Sequence, residues 1–210
     1  MPGLAAGKEI FRNICLPKDQ FETHVLEWLI PEKKEPLQTY AERMAAGVVH
    51  KGAVLVGVSF GGVVAQEMAQ FLQLRKLIVV SSVKDRSELP WRLTFARRSC
   101  AYRLIPTRIL ADGQNLVKFA VGPRSRKRLR LYQEFLHVRN KRYLDWAIKN
   151  MVCWQRCEPL ENIVHIHGSD DVVFPLRNIK NCTVVAGGTH IMLLTKSAAV
   201  TAKIIEAIKN

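Results

Sequence analysis

Apolar residues along this chain follow two patterns, and the order of those patterns predicts an architecture. Residues 53–58 (Ala-Val-Leu-Val-Gly-Val) and 76–82 (Lys-Leu-Ile-Val-Val-Ser-Ser) are short runs with hardly a polar interruption, as in strands buried on both faces. Residues 61–74 between them read as a helix. A strand, a helix and a second strand, with both strands apolar on every face, predict a parallel sheet covered by helices on both sides. Upstream, residues 24–30 (His-Val-Leu-Glu-Trp-Leu-Ile), closed by Pro31, read as another short strand, and Leu37, Tyr40, Ala41 and Met44 recur at helical spacing. Downstream, residues 162–167 and 181–185 resume the strand pattern, and residues 196–209 read as a closing helix.

Residues 84–160 differ in character. Leu93, Ala96 and Arg97, then Leu116, Phe119 and Ala120, then Leu129, Tyr132 and Leu136, then Tyr143, Trp146 and Ala147 predict short amphipathic helices with no strand among them. The expected organisation is therefore an α/β core from residues 1–83 and 161–210, interrupted by a helical cap over residues 84–160. Charge marks the same boundaries. Residues 1–83 carry 9 − 8 = +1, residues 84–160 carry 18 − 6 = +12, and residues 161–210 carry 5 − 4 = +1, which together make the net +14. At 210 residues and 48% hydrophobic, the chain can build a sizeable core, which excludes a disulfide-stapled miniprotein and a disordered tail.

The chemistry is concentrated at the turns. Gly57-Val58-Ser59-Phe60-Gly61-Gly62 fits Gly-x-Ser-x-Gly between a buried strand and a helix. A turn that sharp strains the serine backbone, needs small residues on either side, and pushes the hydroxyl out over the sheet edge. The helix that follows offers free amides to an oxyanion. A serine hydroxyl is a weak nucleophile without a base, and the base needs a carboxylate to fix its tautomer. His167-Gly168-Ser169-Asp170-Asp171 follows one expected strand and Gly187-Gly188-Thr189-His190 follows the next. All three loops leave the same edge of a parallel sheet, where such folds assemble their sites.

By these residues the sequence resembles the α/β-hydrolase superfamily, and more closely its small bacterial serine-hydrolase-like members. The likeness covers roughly residues 2–83 and 159–210. It implies Ser59 as nucleophile, His190 as general base, Asp171 as the acid of His-Gly-x-x-Asp, and the amide of Phe60 as one oxyanion donor. Pro2-Gly3-Leu4 resembles the loop that supplies the second donor, which makes the Leu4 amide the candidate. In the superfamily that loop follows a central strand, whereas this sequence opens at Met1 with the loop itself. Either the sequence starts late, at an internal methionine, or the sheet lacks its first strand or strands, between the one near residue 26 and the one near residue 55, and a gap there would leave the Leu4 donor poorly anchored.

Other residues carry weaker expectations. Asp170 is read as a loop-capping residue and Asp85 as a solvated turn residue rather than the acid. His167 is read as tying the acid loop together, and His24, His50, His137 and His165 have no spacing that points to metal. Cys153 and Cys157 could face each other on a helix but do not make a zinc site, so no metal or other cofactor is expected. Five unpatterned cysteines and the lack of a leader or a membrane-length apolar run point to a reduced, cytoplasmic chain. The basic block Arg124, Arg126, Lys127, Arg128 and Arg130, followed by Arg139, Lys141 and Arg142, reads first as a solvated face of the cap, without specific nucleic-acid recognition. It could also steer an anionic substrate.

The expected function is a serine hydrolase acting on a small ester, thioester or related acyl substrate. The rival readings are a ligand-binding module on the same fold and a basic cap that docks on anionic membrane or nucleic acid.

Overall fold

The computed structural model describes residues 1–105 and 135–209. Among these, four strands form one parallel sheet in chain order: β1 (Ala53–Val58), β2 (Leu74–Val80), β3 (Ile163–Gly168) and β4 (Thr183–Val185). The register pairs Val58 with Val80, Val80 with Ile166, and Gly168 with Val185. The carboxyl ends of β1, β3 and β4 are thereby aligned, so the loops that leave them open on a common edge.

Six helices are described: α1 (Leu37–Ala45), α2 (Phe60–Met68), α3 (Trp91–Arg98), α4 (Lys141–Val152), α5 (Met192–Thr195) and α6 (Ser197–Lys209). The period-two alternation of β2 separates two cores. Leu77 joins a cluster with Tyr40, Phe60, Met68, Tyr143 and Trp146, drawn from α1, α2 and α4. Ile78 and Val80 join the opposite cluster with Ile166, Val200 and Ile204, drawn from β3 and α6. This is the sheet covered on both sides that the apolar runs predict.

The sequence reading needs correction upstream. Residues 24–30 form no strand, because side chains take the groups a ladder would use. Tyr40 Oη donates to the Leu29 carbonyl (2.9 Å) and Arg43 to the Ile30 carbonyl (3.2 Å). Trp28 is buried, donates its indole N–H to the Gly3 carbonyl (3.0 Å), and stacks on Phe60 with ring centroids 5.5 Å apart. The outer edge of β1 is instead lined by Met1, whose amino group donates to the Val56 carbonyl (2.7 Å) and whose carbonyl accepts from the Val58 amide (3.1 Å). Burial lowers the pKa of that amino group to about 5. The helix after Ser59 is also shorter than expected. It gives way to a 3-10 turn at Ala69–Phe71, and β2 begins at Leu74.

Within residues 84–160 the described elements are a 3-10 turn at Arg86–Glu88, α3, a 3-10 turn at Ala101–Leu104, and α4. Leu136 makes an isolated antiparallel bridge with Ala6. The block Arg124–Arg130 and the apolar positions 116–132 lie outside the described residues. Cys153 caps α4 and Cys157 lies exposed beyond it, so the two do not share a helix, and all five cysteines are free thiols. No described helix is long and apolar enough to cross a membrane.

Two buried ionic nodes tie this stretch to the sheet. Glu88 accepts from the amides of Lys84 (2.7 Å) and Lys180 (3.0 Å), while the Lys84 ammonium donates to the carbonyls of Lys180 and Asn181. On α2, the buried Glu67 carboxylate accepts from Trp154 Nε1 (3.0 Å) and Arg156 Nη2 (2.9 Å). Glu67→Leu strands an indole N–H and a guanidinium of which only a fifth is exposed. The expected loss of unfolding free energy, read from the denaturant midpoint, is about 2–4 kcal/mol.

Candidate active site

Ser59 sits between β1 and α2 with φ 52° and ψ −122°, a conformation that costs a non-glycine residue on the order of 1–3 kcal/mol. The surroundings that impose it are backbone in close contact. A Cβ on Gly57 would lie 2.6 Å from both the Gly61 carbonyl oxygen and the Gly62 Cα, and a Cβ on Gly61 would overlap the Pro2 carbonyl. The turn is then fixed by hydrogen bonds. The Ser59 amide donates to the Val80 carbonyl (2.9 Å), and its carbonyl accepts from Gly62 N (2.9 Å) and Ser82 Oγ (2.7 Å). Ser82 was not singled out in the sequence, since nothing in its spacing distinguishes it from any polar end of an apolar strand.

The three loops converge as the parallel topology requires. His190 Nε2 lies 2.9 Å from Ser59 Oγ, and His190 Nδ1 lies 2.9 Å from Asp171 Oδ2. An ionised carboxylate can only accept, so Nδ1 carries the proton and Nε2 presents its lone pair to the serine hydroxyl. Asp171 and His190 are both buried. The other carboxylate oxygen, Asp171 Oδ1, accepts from the amides of Val173 (2.8 Å) and Phe174 (2.9 Å). Burial pushes the Asp171 carboxyl up, but its pairing with His190, then His167 and the Phe174 amide, outweigh it and hold the group below its ordinary range.

The loops that carry Asp171 and His190 are joined to each other. Asp170 N donates to the Gly188 carbonyl (2.8 Å), Ser169 N to the Val185 carbonyl (3.1 Å), and Gly187 N to Ser169 Oγ (2.8 Å). Gly168 and Gly188 meet so closely that a Cβ on the former would overlap the latter's carbonyl. The Asp170 side chain is exposed and accepts from Ser169 Oγ (2.8 Å), a loop contact. Asp85 differs from expectation. It is buried, not solvated, and accepts from the Ser87 amide (2.6 Å) at the head of a 3-10 turn.

Residues 1–7 pass close over the Ser59 turn, and an ideal Cβ on Gly3 would lie 3.5 Å from the Cβ of Ser59. This segment is anchored on several sides, contrary to the sequence expectation. Trp28 Nε1 donates to the Gly3 carbonyl, Ala5 N donates to Tyr143 Oη (3.2 Å), Val138 N donates to the Ala5 carbonyl (3.0 Å), and Gly7 N donates to the Phe135 carbonyl (3.0 Å). The amides of Leu4 and Phe60 find no acceptor among the described residues.

No family model matches the sequence, and no curated relative is found. Solved structures do match. An esterase from Thermogutta terrifontis, with malate bound, is 16% identical and superposes with a TM-score of 0.67, covering 99% of this chain and 87% of its own. A hydrolase from Pseudomonas aeruginosa is 14% identical with a TM-score of 0.65, covering 100% and 88%. A bromoperoxidase described as non-heme, from Mycobacterium tuberculosis, is 15% identical with a TM-score of 0.60, covering 85% and 75%. The fold is that of the α/β-hydrolases.

Beneath the loop bearing Asp171 lie two histidines. His167 is fully buried, with Nε2 2.8 Å from the Phe174 carbonyl and Nδ1 3.1 Å from His165 Nε2. Because the carbonyl can only accept, His167 Nε2–H donates to it, and His165 Nε2–H donates to His167 Nδ1. His167 therefore ties that loop down. His165 lies below it, a role the sequence did not reveal. Burial, then the neighbouring His167 and Lys84, lowers the pKa of His165 to about 2, and burial lowers that of His167.

Both rings are neutral in the folded chain, whereas unfolding frees them to bind protons near pH 6.5. Stability is thus fully present above about pH 6.5 and is lost as pH falls toward the folded values. His165 alone should remove about 2 kcal/mol between pH 6.5 and 5, seen as a falling urea midpoint, and His165→Gln should flatten that slope.

Proposed function

We propose that the protein is a serine hydrolase that cleaves a small ester, thioester or related acyl substrate through an acyl-enzyme. The observation that carries this reading is the unbroken hydrogen-bond chain from Asp171 through His190 to Ser59 Oγ, with both links at 2.9 Å. Ser59 Oγ attacks the acyl carbon while its proton passes to His190 Nε2, and Asp171 stabilises the resulting imidazolium. Negative charge develops on the carbonyl oxygen, where the amides of Phe60 and Leu4 serve as donors. Collapse breaks the bond to the leaving alcohol or thiol, which takes the proton from His190. Water then attacks the acyl-serine, giving its proton to the same nitrogen, and as the acyl–oxygen bond breaks that proton returns to Ser59 Oγ, releasing the acid and a free Ser59.

The matched structures described as esterases lend support to an ester as the substrate class. In this reading, residues 84–160 form the helical cap that selects the acyl group, and its +12 charge favours anionic substrates by raising their local concentration. Five free thiols fit a reducing compartment such as the cytoplasm.

A fluorophosphonate probe reports whether the serine is activated, whatever the natural substrate. The wild type should be labelled, and Ser59→Ala and His190→Ala should not be. A folded wild type that takes no label would instead favour the binding-module reading. Asp171→Asn leaves space and contacts nearly unchanged but allows the wrong histidine tautomer. With any ester that is turned over, it should reduce kcat by about 10³–10⁴-fold.

A further inference from the structure

Glu22, His24 and His50, distant in sequence, meet on the exposed surface. Each offers one ligand atom, and these atoms all lie within 4.8 Å of one another. His24 Nε2 is 2.8 Å from Glu22 Oε1, and the rings of His24 and His50 stand 5.4 Å apart at an interplanar angle of 31°. The Glu22–His24 contact alone would be an ordinary exposed ion pair. The second imidazole facing it makes a three-donor set of two nitrogens and one carboxylate oxygen.

The backbones that carry these donors are held in place. Two residues beyond His24, Leu26 packs against the core, and a Cβ on Gly47 would lie 3.3 Å from its Cδ2. The loop bearing His50 is fixed at its start by Gly47 N donating to the Met44 carbonyl (3.1 Å), and at its end by Gly52 N donating to the Gln73 carbonyl (2.9 Å). The extended segment and the loop are thus positioned by contacts that do not involve the three donors.

We propose that Glu22, His24 and His50 form a binding site for a divalent transition metal, with Zn²⁺ the ion best suited to it. Imidazole nitrogen with carboxylate oxygen is a zinc-type donor set, whereas Mg²⁺ and Ca²⁺ are held by oxygen alone. Donors each about 2.1 Å from a shared ion lie at most about 4.2 Å apart, so closing the site takes only a small rotation of exposed side chains. Water completes the coordination. The ion would tie the irregular segment after residue 12 to the loop that leads into β1. None of the three residues belongs to the Ser59 site, so the proposal stands independently of the hydrolase reading.

Calorimetric titration of the purified, reduced protein with ZnCl₂ tests it, alongside His24→Ala, His50→Ala and the double variant. The wild type should bind one ion in a saturable step and gain a few degrees in Tm, by mass action on the folded state. Each single variant should weaken that step at least tenfold, the smallest effect expected from losing a ligand itself. The same titration with MgCl₂ should give no saturable step. All three side chains are exposed, so the variants are expected to fold, and unchanged far-ultraviolet circular dichroism checks this. Absence of saturable zinc binding in the wild type would overturn the proposal. So would a double variant that binds zinc as tightly as the wild type, because the ion would then be held elsewhere.

Discussion

The structure depends on one tight crossing of backbone at the end of β1. Ser59 is held in a conformation that L-residues avoid, and it is held there where Gly57 meets the main chain of Gly61 and Gly62, and Gly61 that of Met1 and Pro2. Gly57 and Gly61 are the positions where a side chain would collide with that main chain. The strain is offset by what surrounds it: the sheet bond to Val80, the Ser82 hydroxyl on the Ser59 carbonyl, and the start of α2. The result is a serine side chain held at the sheet edge beside His190, with the amide of Phe60, which finds no acceptor among the described residues, next to it in the chain.

Around that turn the electrostatics have a consistent direction. Asp171 is removed from water, yet it remains a carboxylate because two amides and two histidines face it. His190 is fixed in one tautomer by the carboxylate and directs its lone pair at the serine. Below them, His165 and His167 are kept neutral by burial and act as a hydrogen-bonded prop. Three buried histidines therefore do different work according to what each one's second nitrogen meets.

Much of this was legible in the sequence because local pattern and topology agree. Apolar runs marked the sheet, Gly-x-Ser-x-Gly marked the turn, and parallel topology required the loops bearing Asp171 and His190 to open beside it. The misreadings share a physical cause: side chains from distant segments decided the local structure. Residues 24–30 have strand composition, but Tyr40 and Arg43 occupy their carbonyls and Trp28 turns inward. Asp85 resembles a surface turn residue and is buried in a segment whose neighbours Lys84, Arg86 and Glu88 bond to residues 156 and 180–181. The anchoring of Leu4 depends on Trp28, Phe135 and Tyr143, which no spacing rule connects to it. Glu22, His24 and His50 are likewise brought together only by the tertiary path of the chain.

The loops that carry Asp171 and His190 share backbone hydrogen bonds and a glycine–glycine contact, whereas Ser59 is built on a different part of the sheet. Asp171 and His190 are thus set against each other by direct contact between their own loops, whereas the position of His190 against Ser59 is carried through β2, which lies between β1 and β3. The spacing of histidine and aspartate is a local property of two adjoining loops, and that of histidine and serine is a property of the sheet.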